Sequence, residues 1–143
     1  MDAERIKRLR ACHESLAPRA DQLIETFYQH LFRAHPEVRP MFPEDMSRQN
    51  RHFLAAFSMS IEHLDNPEVF HAPLQRMGVR HQGYGVRREH YPWVCDAVVA
   101  AIQEIGGDSI TPEIRDDWRE ALGLIADVMM DGLEDEEDPF AQP

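Results

Sequence analysis

The chain has 143 residues, 43% hydrophobic and 29% charged, which suits one globular domain with a substantial core. Its 15 basic side chains against 26 acidic ones leave a net charge of -11, which argues against nucleic acid as a partner. No apolar run approaches the ~20 residues that cross a bilayer, and the N-terminus lacks a signal-peptide core, so membrane insertion is not expected and a cytoplasmic location is.

In chain order the helical period dominates. In "RADQLIETFYQHLFRAHPEVRPMF", Leu23, Ile24, Phe27, Tyr28, Leu31 and Phe32 recur at three and four and form one apolar stripe. Pro18 suits a first-turn position, and Pro36 ends the helix near Ala34. A turn "HPEVRP" then delivers Met41 and Phe42. The next amphipathic segment runs from Met46 to Leu64, with Gln49, Phe53, Phe57, Ile61 and Leu64 on its inner face. Asp65-Asn66-Pro67-Glu68 predicts a helix start with a capping side chain just before Pro, and Val69, Leu74 and Met77 inward.

That helix leads to His81, after which Gly83 and Gly85 punctuate the chain. "REHYPWVCDAVVAAIQEIGG" reads as a long helix with Tyr91, Val94, Val98, Ala101, Ile102 and Ile105 inward, closed by Gly106-Gly107. Thr111-Pro112-Glu113 opens the last helix, whose inner face carries Ile114, Trp118, Leu122, Ile125, Ala126 and Met129. The residues from Glu134 to the end form an acidic tail expected to fray. There is no alternating β pattern, internal repeat or linker. The expectation is an all-α chain of six or seven helices, with a domain over 1–133 and a disordered tail over 134–143.

Cys12 and Cys95 stand far apart, without a CxxC or zinc-knuckle partner. They are expected as free thiols, with a single disulfide as the alternative. Three polar residues interrupt the apolar faces: Tyr28, Gln49 and His81. Each alone has an ordinary explanation as a satisfied core tyrosine, a surface glutamine or a packed histidine. Together, an inward histidine opposite a helix with one polar group among phenylalanines suits a flat, iron-bearing cofactor. Haem needs a neutral imidazole on one face and an apolar slot around the porphyrin.

The stretches "TFYQHLFRAHPEVRPMF", the Gln49–Phe53–Phe57 helix, "GVRHQGYGVRREHYPWV" and "IRDDWREALGLIADVM" resemble a bacterial single-domain globin. The likeness is to the haem domain of flavohaemoglobins and to Vitreoscilla-type haemoglobin, with a further similarity to neuroglobin, and it runs from Arg5 to Leu133. It implies a globin fold with a short CD region and no separate fourth helix, since Gln49 follows Phe42 by only seven positions. The implied cofactor is haem b (iron protoporphyrin IX), with His81 as the metal ligand.

By the same resemblance, Phe42 wedges against the porphyrin, Phe53 narrows the pocket, and Tyr28 and Gln49 are the distal donors to a bound gas. Arg80, Tyr84 and Val86 lie at the cofactor edge. For Arg80 and Arg76, pairing with propionates and plain solvation are equal alternatives. His52 reads as a surface residue or a propionate contact. With Gln49 in place of a distal histidine, five-coordinate iron is expected. Tyr91 matches the proximal tyrosine of flavohaemoglobins, but its glutamate partner is replaced by Leu133, with Glu134 one residue along. The implied function is binding of dioxygen, and of NO or CO, at the iron. The alternatives are an NO dioxygenase that draws electrons from a separate reductase, and a gas or redox sensor.

Overall fold

The computed structural model describes residues 1–131 and Leu133. The acidic tail and Glu134 lie outside the described residues. Six α-helices account for most of the described chain: α1 (Ala3–Leu16), α2 (Ala20–Ala34), α3 (Ser47–Glu62), α4 (Pro67–Gly83), α5 (His90–Gly106) and α6 (Pro112–Asp131). Short 3₁₀ turns cover Ala17–Arg19, Pro36–Met41 and Gly107–Ser109. No strand occurs among the described residues, and none of their helices is long and apolar enough to cross a membrane. Both cysteines are free thiols.

Local chemistry sets several helix ends. Asp2 caps α1 by accepting from the Arg5 N–H at 2.9 Å, and Thr111 Oγ1 accepts from Ile114 N–H at 3.2 Å at the start of α6. Gly107, at φ 57°, closes α5 in a backbone region that penalises any Cβ. The "HPEVRP" turn is a 3₁₀ helix, and no α-helix forms between Met41 and Ser47. Pro18 sits in the preceding 3₁₀ turn rather than in α2 itself.

Two expectations for α4 need correction. Asn66 occupies the N-cap but makes no side-chain capping bond, and the neighbouring Asp65 carboxylate is held by Arg10 of α1 at 2.6 Å. Val69 is exposed, and Phe70 takes the inward place beside Leu74. A shift of one residue in helix phase, about 100°, is enough to exchange them. Helix α1 was not predicted individually, although Ile6, Leu9, Cys12 and Leu16 recur at three and four and are all buried.

The core divides into two clusters. The larger joins α1, α2, α3, α5 and α6 around Trp118, which is fully buried, donates from Nε1 to Cys12 Sγ at 3.3 Å and stacks on Phe57. Burying such large apolar surfaces is the main stabilising term, at roughly 25 cal/mol per Å². The smaller cluster lies between α4 and α6 and contains Phe70, Leu74, Tyr91, Ala126 and Met129. Helix α4 packs extensively on α6. Met59, near the end of α3, packs against the smaller cluster. Gln49 and Phe53 are thus carried by α3 and His81 by α4, the helix that follows it in the chain.

Candidate haem site

Aromatic side chains of α2, α3 and the turn between them form one cluster. Tyr28 on α2 is buried, 5.5 Å from Phe42 edge-to-face and 5.6 Å from Phe32 in a stack. Phe53 on α3 stacks on Phe27 at 4.7 Å and approaches Tyr28 at 6.1 Å. The helical period places Phe27, Tyr28 and Phe32 on one side of α2, and the turn ending at Met41 swings Phe42 across to meet them. Within this apolar cluster, the Gln49 amide donates from Nε2 to the Tyr28 hydroxyl oxygen at 3.4 Å. The phenol proton is then left to point elsewhere. Burial pushes the Tyr28 pKa up against a smaller opposing effect of the Gln49 bond, so the residue stays a neutral O–H donor.

His81 lies on the face of α4 that also bears Phe70, Leu74, Met77 and Gly78. Its Nδ1 lies 2.7 Å from the Met77 carbonyl oxygen, one turn back. A carbonyl only accepts, so Nδ1 carries the proton and Nε2 keeps its lone pair. That Nε2 has no hydrogen-bond partner among the described residues. Burial lowers the His81 pKa, a nearby Arg80 adds to the effect, and the Met77 bond opposes it, so the ring is neutral at neutral pH. A neutral imidazole with one nitrogen fixed and the other free is the donor that haem iron requires.

The corner after α4 is tied back to the same histidine. The His81 carbonyl accepts from the N–H of Tyr84 and of Val86, both at 3.0 Å, around Gly85 at φ 93°. Val86 is partly buried against the smaller cluster. A Cβ on Gly85 would sit 3.9 Å from the Met41 methyl, so the turn after α2 meets the turn after α4 at this edge. Arg76, Arg80 and Tyr84 are exposed, Tyr84 at 72%, and the two arginines form no ion pair among the described residues. His52 is exposed as well, on the outer side of α3.

Tyr91 belongs to the smaller cluster, and its buried hydroxyl has no partner among the described residues. Leu133 packs against that cluster. An apolar side chain thus stands where the resemblance places a glutamate, while His81 Nδ1 is already engaged by Met77.

The structure adds one residue that sequence reading passed over. Gly78 faces α6 so closely that a Cβ there would lie 2.1 Å from the Met129 carbonyl oxygen. A glycine inside a helix costs about 1 kcal/mol relative to alanine, and that unexplained cost was the available signal. Tyr28, Gln49, Phe42 and Phe53 are brought together, Val86 bonds the His81 carbonyl and shares the smaller cluster with Tyr91, and Arg80 and Tyr84 are exposed.

Comparison with known proteins bears on this geometry. Residues 25–129 match the family model described as Globin. The chain is 34% identical over 124 residues to a flavohemoprotein from Rhizobium meliloti, an alignment covering 85% of this chain and 30% of the relative. The chain thus spans about 30% of the length of this curated relative. Among solved structures, a bacterial globin from Campylobacter jejuni superposes with a TM-score of 0.82 at 26% identity, covering 92% of this chain and 95% of that one. An engineered carbene transferase from Rhodothermus marinus, derived from a nitric oxide dioxygenase candidate, does so with a TM-score of 0.80 at 28% identity, covering 90% of each chain.

Proposed function

Because this chain belongs to the globin family, we propose that it holds haem b between α3 and α4 and binds dioxygen, or NO or CO, on the Tyr28–Gln49 side. The observation that carries this reading is the His81 imidazole, held at Nδ1 by the Met77 carbonyl with no partner for Nε2 among the described residues, in a chain whose α2 and α3 bring Tyr28 and Gln49 together. Bound haem supplies an iron centre that takes a diatomic gas and shifts electron density onto it.

The chain's own residues do the rest. His81 presents the metal ligand, and the Met77 carbonyl keeps its ring from rotating. Phe27, Phe42 and Phe53 keep the distal side dry, which strengthens any hydrogen bond made there. Tyr28 would offer its phenol O–H as a hydrogen-bond donor to a partly negative ligand, and the Gln49 amide, donating to the phenol oxygen, polarises and orients it. A polarised phenol donor in a dry surrounding favours slow release over ready delivery. Val86 and the Gly85 turn fix the edge beside His81, while Arg80 and Tyr84 are available to propionates at the rim. Tyr91 supports His81 through packing beneath α4.

The likeness to the Rhodothermus marinus protein and the Tyr28 hydroxyl also favour a second reading, oxidation of NO to nitrate with electrons from a separate reductase. The proximal side supports binding over turnover. His81 Nδ1 donates to a neutral carbonyl, a weaker acceptor than a carboxylate, so the ring gains little imidazolate character.

Absorption spectra of the haemin-reconstituted protein in ferric, ferrous and CO-bound forms test the proposal. The wild type should show a Soret band that His81→Ala loses or shifts and that added imidazole restores. A ferrous–CO spectrum in His81→Ala identical to the wild type would overturn it.

A further inference from the structure

The outward face of α4 differs from the rest of this surface. Val69, Ala72, Arg76, Val79, Arg80 and Gly83 recur at three and four and are all exposed, and the exposed Tyr84 follows at the helix end. Three of the four large exposed apolar side chains described, Val69, Val79 and Tyr84, are on this one segment. The charge pattern is equally local. In a chain of net charge -11, no Asp or Glu falls between Glu68 and Glu89, whereas Arg76, Arg80, Arg87 and Arg88 do. All four arginines are exposed, and none forms an ion pair among the described residues. Six others are engaged: Arg5, Arg8, Arg10 and Arg119 with carboxylates, and Arg19 and Arg39 with backbone carbonyls.

We infer that this basic, apolar-centred face of α4 docks an acidic one-electron redox protein directly behind His81. The inference rests on the haem reading above. Charge complementarity selects the partner. An acidic protein is repelled by the net charge of -11 but meets here four exposed arginines, unpaired among the described residues, so the local field orients the encounter as well as accelerating it. Val79 and Tyr84 supply the apolar centre that such a contact needs once water is expelled. Position supplies the purpose: the outward face and the His81 face are opposite sides of one helix, whose backbone is only about 5 Å across. Each productive encounter passes one electron, oxidising the donor and reducing bound iron from ferric to ferrous, with no atom transferred.

The test uses a reduced acidic [2Fe–2S] ferredoxin as donor and dithionite as a small reductant. The haem-loaded wild type is compared with Arg87→Glu/Arg88→Glu and with Arg33→Glu/Arg48→Glu, which makes the same charge change at exposed positions off the patch. Association is measured in parallel by surface plasmon resonance, with and without haem. The expected result for the Arg87/Arg88 variant is a fall of about tenfold or more in both association and the second-order reduction rate at low salt, vanishing at high salt, with dithionite reduction unchanged. The off-patch variant should fall far less. Equal effects of the two double variants would overturn the docking face. A wild type without a Soret band would instead overturn the haem reading, and the association data would still decide the docking face.

Discussion

Gly78 and Met129 meet with no room for a side chain: a Cβ on the glycine would come within 2.1 Å of the methionine carbonyl oxygen. Backbone cannot yield as a flexible side chain can, so even one methyl group must push α4 away from α6. Pro73 interrupts the hydrogen bonding of α4 upstream, which leaves this contact to place the turn that carries His81. Gly78→Ala is therefore expected to cost about 1–3 kcal/mol despite alanine's better helix propensity, and to weaken haem retention. Thermal unfolding and haem transfer to apomyoglobin measure the two effects. A variant as stable as the wild type and equally retentive would show that α4 is not held this way.

Tyr28 and Gln49 act in series, so their removal should not be equivalent. Tyr28→Phe deletes the donor that faces the ligand and leaves the amide without its acceptor. A hydrogen bond to a charged or strongly polarised acceptor contributes about 1–3 kcal/mol, so oxygen dissociation should accelerate roughly 5- to 150-fold. Gln49→Val should produce a smaller increase, because the phenol remains. Stopped-flow displacement of oxygen by CO reads both. A larger effect for Gln49→Val would reverse the assigned order of the donors.

Asp117 is a buried carboxylate held by two arginines of α1, Arg5 at 2.8 Å and Arg8 at 2.5 Å. The Arg8 hydrogen bond is the largest of the effects that keep its pKa below the ordinary carboxylate value. A depressed folded-state pKa stabilises the fold above the unfolded value, near 3.9, and that contribution fades as pH falls through the folded pKa. Asp117→Asn should lower the melting temperature by about 5 °C at pH 7. The gap from wild type should narrow on acidification below about pH 5. A gap independent of pH would mean that packing, not charge, accounts for the loss. His13, whose pKa is lowered mainly by burial, destabilises both proteins alike in acid and cancels in the comparison.

The Tyr91 hydroxyl is buried without a partner among the described residues, which is costly for any polar group. Tyr91→Phe removes the cost and keeps the ring in the cluster beneath α4. The melting temperature of the apoprotein should stay within about 2 °C or rise. A fall beyond about 5 °C would reveal a hydrogen bond that supports the helix pair.

Short-range physics made much of this protein legible in the chain. Apolar residues at three and four marked the inner faces of α2, α3, α5 and α6, and Pro36, Gly107 and Thr111 marked ends that the structure reproduces. Tyr28, Gln49 and His81 were visible as polar residues on apolar faces. Helix α1 was overlooked because its charges obscure a stripe that the structure buries.

Other features required the fold, because they depend on residues far apart in sequence. Which His81 nitrogen stays free follows from side-chain orientation toward Met77, and the bond from Gln49 to Tyr28 joins helices whose relative placement no local signal encodes. The backbone approach at Gly78, the clamp on Asp117 and the phase of α4, with Phe70 inward and Val69 outward, are likewise products of packing. Periodicity tells a helix that it has an apolar side. Only its neighbours decide how closely, and at what rotation, that side is met.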